Sequence, residues 1–143
     1  MNLKSIALTA ACMAAALSAA VSTPALAQAK EQFFPLLVYR TGAYAPNGVP
    51  FANGMQDYLK YINAKGGING VKAAFEECET GYATDKGVEC YERLKGKGAT
   101  VFQPLSTGIT FALTEKAPID KIPLITAGLG RSESQDGGVF KWH

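Results

Sequence analysis

Ser106-Thr107-Gly108 is the stretch with most chemistry to offer. It lies where a strand is expected to hand over to a helix. Free backbone N–H groups at such a start attract an anion, and the two hydroxyls add directed donors, which suits a carboxylate. The same residues also suit plain N-capping, in which a hydroxyl serves only the helix. Gly128 and Gly130, on either side of Leu129, would let a ligand approach the main chain closely, or form an ordinary turn. Tyr44 could stack on a ligand or simply line its loop, and Asn47-Gly48 has the composition of a turn. Signs of catalysis are sparse. The one histidine is His143, the last residue, and neither a nucleophile elbow nor a phosphate-binding lysine loop occurs. Glu76, Glu77 and Glu79 read as solvated acids rather than a catalytic pair. Gly42-Ala43-Tyr44-Ala45-Pro46 does not match the dinucleotide-binding glycine pattern. No enzyme activity and no cofactor are expected.

Strands alternating with helices must position these residues. Phe33 to Arg40 reads as the first strand, and Thr41 to Gly48 as a loop of turn formers. Phe51, Met55, Leu59 and Ile62 recur at helical spacing, with Pro50 near the helix start. Lys65-Gly66-Gly67 ends that helix. Val71 to Cys78 alternates as a second strand. Thr84 can cap a second helix that carries Val88, Tyr91, Leu94 and Lys95 on one side. Ala99 to Phe102 is a short third strand, Gly108 to about Lys116 a third helix, and Pro118 ends it or forces a turn. Ile122 to Thr126 and Val139 to Trp142 are the remaining strands. This order implies an α/β fold, a parallel sheet with helices on both faces. The loops Thr41–Gly48, Pro104–Gly108 and Ala127–Gly130 then share the carboxyl edge, a shallow uncharged shelf for a small solute.

Residues 1–27 have the make-up of a secretory signal peptide: Lys4, an apolar run from Ile6 to Val21, and Ala25-Leu26-Ala27 for cleavage. The run is interrupted by Ser and Thr, and is short against the about 20 apolar residues of a membrane span. Cys12 lacks the leucine expected three residues before a lipidated cysteine. The expectation is export to the periplasm with no stable membrane insertion after cleavage, leaving one compact domain over residues 28–143. The formal net charge of the whole chain is only +2, so no basic stripe for nucleic acid stands out. Cys78 and Cys90 remain after cleavage. In an oxidising compartment they are expected to form a disulfide, the alternative being two separate thiols whose β-carbons point apart. Two cysteines and a terminal histidine do not make a metal site.

The Thr41-Gly42 loop, the helix after it, and Ile62-Asn63-Ala64-Lys65-Gly66-Gly67-Ile68-Asn69-Gly70 resemble the type I periplasmic binding proteins. The resemblance is greatest to the leucine/isoleucine/valine-binding branch, the solute receptors of ABC importers. It covers residues 28–143 as the N-terminal part of a first lobe. It implies an extracytoplasmic receptor for branched-chain amino acids or a related small solute, with ABC permease subunits as partners. Ser106, with Thr107, would hold the ligand carboxylate and Gly128 its ammonium, beside Leu129 and Gly130. Tyr44 and Asn47 would cover its side chain. The amino-acid binders have threonine where this chain has Gly130, which points toward urea, short amides or aromatic acids. The same fold also serves in ligand-sensing receptors, and a truncated product without activity of its own is a further reading. A partial lobe is expected to bind solute weakly or not at all.

Overall fold

The computed structural model describes residues 30–126 and the backbone of 139–141. Strand β1 (Glu31–Val38) pairs in parallel with β2 (Lys72–Glu79), from Glu31 opposite Lys72 to Val38 opposite Glu79. Helix α1 (Ala45–Ala64) connects them. Helices α2 (Thr84–Lys95), α3 (Thr107–Leu113) and α4 (Lys116–Asp120) follow, then β3 (Leu124–Thr126), paired in parallel with β4 (Val139–Lys141). Single parallel bridges, Phe33 to Ala99 and Phe102 to Leu124, join the two strand pairs. The strand order is therefore β2, β1, the 99–102 segment, β3, β4.

The residues of β1 alternate between two cores. Leu36 and Val38 pack with Phe75 of β2 against Ala52, Met55 and Leu59 of α1. Phe33 and Leu37 face the other way, toward Tyr91 and Leu94 of α2, Ile109 and Leu113 of α3 and Ala117 of α4. Burial on both faces is why this stretch reads as a continuous apolar run rather than an alternating one. Tyr91 is fully buried, yet its hydroxyl donates to Asp120 Oδ2 at 2.8 Å. Burial and the Asp120 carboxylate together push the phenol well above its usual range.

Several boundaries differ from expectation. The 99–102 segment makes bridges only at Ala99 and Phe102. It is bounded by Gly98, at φ +84°, and by Pro104, which has no N–H to give, so little chain remains for a ladder. Helix α1 begins at Ala45, absorbing half of the anticipated loop. Pro46 takes the place next to the start that suited Pro50, and Pro50 lies inside the helix. The inner stripe of α1 uses small residues, the buried Gly48 and Ala52, while Phe51 is pushed to the flank. A Cβ on Gly48 would lie 1.9 Å from Tyr39 O, so only glycine lets helix and strand end approach this closely. Thr84 is the first residue of α2 and not its cap, a place held by the extended Ala83. The expected third helix is two pieces, and Pro118 sits within the first turn of α4, where its missing N–H costs nothing. Beyond Thr126, β4 spans Val139–Lys141, and Trp142 lies outside the described residues.

The Asn63-Ala64-Lys65-Gly66-Gly67 turn has a structural use. Asn63 donates from Nδ2 to Ala73 O and accepts at Oδ1 from Ala73 N, both at 2.8 Å. Its amide thus takes the place of a neighbouring strand at the outer edge of β2, which blunts the edge against other chains. Gly66 and Gly67, at φ +106° and +86°, turn the chain back toward β2.

Candidate functional site

The strand order reverses beside β1. The chain runs from β1 to β2 on one side, then crosses to the 99–102 segment on the other. Both flanking strands are parallel, so the loop after Val38 and the loop after Phe102 leave the sheet at the same edge. In open α/β sheets this crevice is where ligands bind.

Tyr44, at the start of α1, is 54% exposed. Its ring lies 4.5 Å from that of Tyr82, tilted by 42°, and Tyr82 meets Tyr39 edge-on at 5.0 Å. Tyr82 has φ +66°, an unusual backbone for a tyrosine, which swings its ring across to the first loop. Asn47 is in the first turn of α1 rather than in a covering loop, and is exposed.

Ser106 is buried and caps α3, its hydroxyl accepting from Ile109 N at 3.4 Å. That bond is long, and the hydroxyl proton is free to be donated elsewhere. Thr107 is half-buried at the first position of α3. Thr110 Oγ1 donates to Ser106 O and lies 2.9 Å from Thr126 Oγ1, both threonines being fully buried. This pair ties the Ser106 turn to the end of β3. The N-terminus of α2 abuts that of α3: a Cβ on Gly108 would be 2.9 Å from Thr84 Oγ1. Gly128, Leu129 and Gly130 lie outside the described residues.

Glu79 connects the first two loops, a role the sequence reading missed. Its Oε1 accepts from Thr41 Oγ1 at 3.0 Å, Thr41 N at 3.3 Å and Gly81 N at 2.8 Å. Its Oε2 accepts from Arg40 N at 2.8 Å. Burial works against the charge, but the amide donors of Arg40, Gly81 and Thr41 outweigh it and hold the carboxyl below its usual range. Glu77 binds Arg40 through both oxygens, at 2.5 and 2.9 Å, and Arg40 also reaches Asn53 Oδ1 at 2.7 Å. Glu76 pairs with Arg93 and Lys97. The three acids are therefore engaged as well as solvent-reaching: Glu79 is exposed, Glu76 and Glu77 are half-buried, and the ion pairs of these two were not anticipated from the sequence. The signal available was Glu79 at a strand end followed by Thr80-Gly81, where nearby amides have no helix or sheet to bond.

Cys78 and Cys90 form a disulfide, with Cα atoms 5.8 Å apart, closing off the separate-thiol alternative. It fastens the end of β2 to the middle of α2, directly behind the Glu79–Tyr82 turn. A cavity of about 250 Å³ lies elsewhere, on the α1 face, lined by Leu36, Met55, Leu59, Val101 and Ile125 among others. Its walls are overwhelmingly apolar and offer no converging set of donors, so the strand-order crevice is the better candidate.

A model of the periplasmic binding protein family matches residues 31–143. The chain belongs to the periplasmic binding protein family. No curated protein sequence matches. Among solved structures, an ABC transporter permease from the Pseudomonas fluorescens group is 51% identical, with a TM-score of 0.72, over 78% of this chain and 29% of that one. A branched-chain amino acid transporter substrate binding protein from Streptococcus pneumoniae, in complex with isoleucine, is 21% identical at a TM-score of 0.70, over 78% of this chain and 33% of that one. A solute binding protein of an ABC transporter from R. palustris, in complex with benzoate, is 23% identical at a TM-score of 0.57, over 79% and 32%. This periplasmic binding protein chain thus spans about a third of the length of these relatives, as the partial parallel sheet of the type I fold. Among the described residues no helix is long and apolar enough to cross a membrane.

Proposed function

We propose that this chain is the opening part of the first lobe of an exported solute receptor that delivers a small molecule to ABC permease subunits. The observation that carries the reading is the family match over residues 31–143, together with the Tyr44 and Ser106 loops on one edge beside the strand reversal. Such a receptor works by affinity and by closure of two lobes, and breaks no bonds. Ser106 and Thr107 would direct hydroxyl and backbone donors at a ligand carboxylate. Gly128, Leu129 and Gly130 would bring main-chain groups to its other polar end. Tyr44 would cover the side chain, with Asn47 at the rim. Branched-chain amino acids, amides, urea and aromatic acids are the candidate solutes. Residues 1–27 would direct export and be removed.

Thermal-shift titration of the complete two-lobed protein with L-isoleucine, L-valine, acetamide, urea and benzoate tests this. A rise in unfolding midpoint with at least one supports a receptor. No shift with any of them at millimolar concentration, from folded protein, overturns it. N-terminal sequencing of exported protein should begin at Gln28.

A further inference from the structure

We infer that Glu79 and Tyr82 are positioning residues that set Tyr44 as a rigid aromatic wall of the solute site, suited to a solute with a flat, apolar side group. The inference rests on the receptor reading above for its ligand, but not for its geometry. A loop tyrosine that is more than half exposed would ordinarily sample several rotamers. Here three features of the β2–α2 turn hold it. The Glu79 carboxylate gathers donors from Arg40, Thr41 and Gly81, so one side chain pins the β1–α1 connection to the β2–α2 turn. Thr80 completes the pinning, its backbone N and Oγ1 both donating to Val38 O, at 2.8 and 2.9 Å, while its Oγ1 accepts from Tyr82 N at 3.1 Å. The positive φ of Tyr82 then lays its ring between Tyr39 and Tyr44. Gly42, at φ +82°, passes so close that a Cβ on it would lie 3.2 Å from Gly81 O.

The consequence is a wall with one covered side and one open side. Aromatic pairs at these separations contribute beyond their buried area. A ring held in place before binding does not lose rotamer freedom when a solute arrives, which favours a rigid planar partner. Glu79 acts through the loops and is not itself a ligand-contacting residue.

The test uses the complete two-lobed protein with Glu79→Ala, Glu79→Gln and Tyr82→Leu. The first measurement needs no solute: NMR of the Tyr44 ring protons, with amide exchange at Arg40, Thr41 and Gly81. Glu79→Ala should speed exchange at those amides at least about tenfold and move the Tyr44 ring signals, leaving core amides such as Leu37 and Leu94 unchanged. Glu79→Gln keeps a carbonyl acceptor and should restore much of the wild-type spectrum. Unmoved Tyr44 signals in both Glu79→Ala and Tyr82→Leu overturn the inference. The second measurement is calorimetric titration with benzoate and with L-isoleucine. Both Glu79→Ala and Tyr82→Leu should weaken benzoate about tenfold and isoleucine less, a tenfold change being about 1.4 kcal/mol. Equal or absent effects on both probes, with the Tyr44 signals displaced, refute the wall as a selector. If the wild type binds neither probe, the assignment of these two solutes fails, and the positioning of Tyr44 is judged by the NMR result alone.

Discussion

Reducing the Cys78–Cys90 bridge should cost this domain a large share of its stability while leaving the native fold in place. The two cysteines are 12 residues apart in sequence. Closing a loop of that size lowers the entropy of the unfolded chain by an amount worth about 3 kcal/mol at 25 °C. Typical domains are stable by only about 5–15 kcal/mol, so this is a substantial fraction. Both cysteines are buried in the core that contains Leu37, Tyr91 and Leu94, and each sits on an element held by other contacts. The native state should therefore survive reduction, with the loss arising in the unfolded ensemble. Urea unfolding, followed by circular dichroism with and without a phosphine reductant, checks this. The midpoint should fall by an amount equivalent to about 3 kcal/mol, and the slope should rise because the reduced unfolded chain exposes more surface. In a thermal scan the same loss is roughly 10–20 °C for a domain of about 100 residues. A loss below about 1 kcal/mol, with free thiols verified by mass, would refute the loop-closure reasoning.

Three further outcomes follow from the contacts. Asn63→Ala removes both bonds to Ala73 at the edge of β2 and should destabilise by about 1–3 kcal/mol, with faster amide exchange at Ala73 and a greater tendency to associate. Gly48→Ala drives a methyl into Tyr39 O and should cost about 3 kcal/mol or displace the start of α1, measurable as a lower unfolding midpoint and shifted Tyr39 signals. Acid should weaken the fold through Glu79, Asp120, Glu76 and Glu92, all held below their usual range. The native state binds fewer protons than the unfolded chain, so this stability is fully present above about pH 5 and is lost as pH falls through the lowered native values. A midpoint that rises on acidification from pH 5 to 3 would contradict it.

The elements themselves were legible because their causes are local. An apolar run bounded by turn formers can only be a buried strand or a buried helix, and Phe33 to Val38 is too short for the second. The glycines at 66 and 67 end α1 whatever surrounds it, because a left-handed backbone costs glycine little. The Cys78–Cys90 pairing was legible from the cysteine count and the expectation of an oxidising compartment. The failures are equally local to inspect but not local in cause. Glu76, Glu77 and Glu79 gave no sign of their ion pairs and hydrogen bonds, because the partners Arg93, Lys97, Arg40 and Thr41 come from other elements. Thr84 looked like a cap until Ala83 took the extended conformation.

What the amino-acid order determined unaided was the alternation of strand and helix, and hence that Tyr44 and Ser106 leave a parallel sheet at one edge. Periodicity and turn chemistry act within a few residues and suffice for that. Only the tertiary structure decided that Tyr82 lies against Tyr44 and that Glu79 joins two loops. Each of these depends on residues tens of positions apart meeting after the sheet has assembled, and no local preference encodes such a meeting.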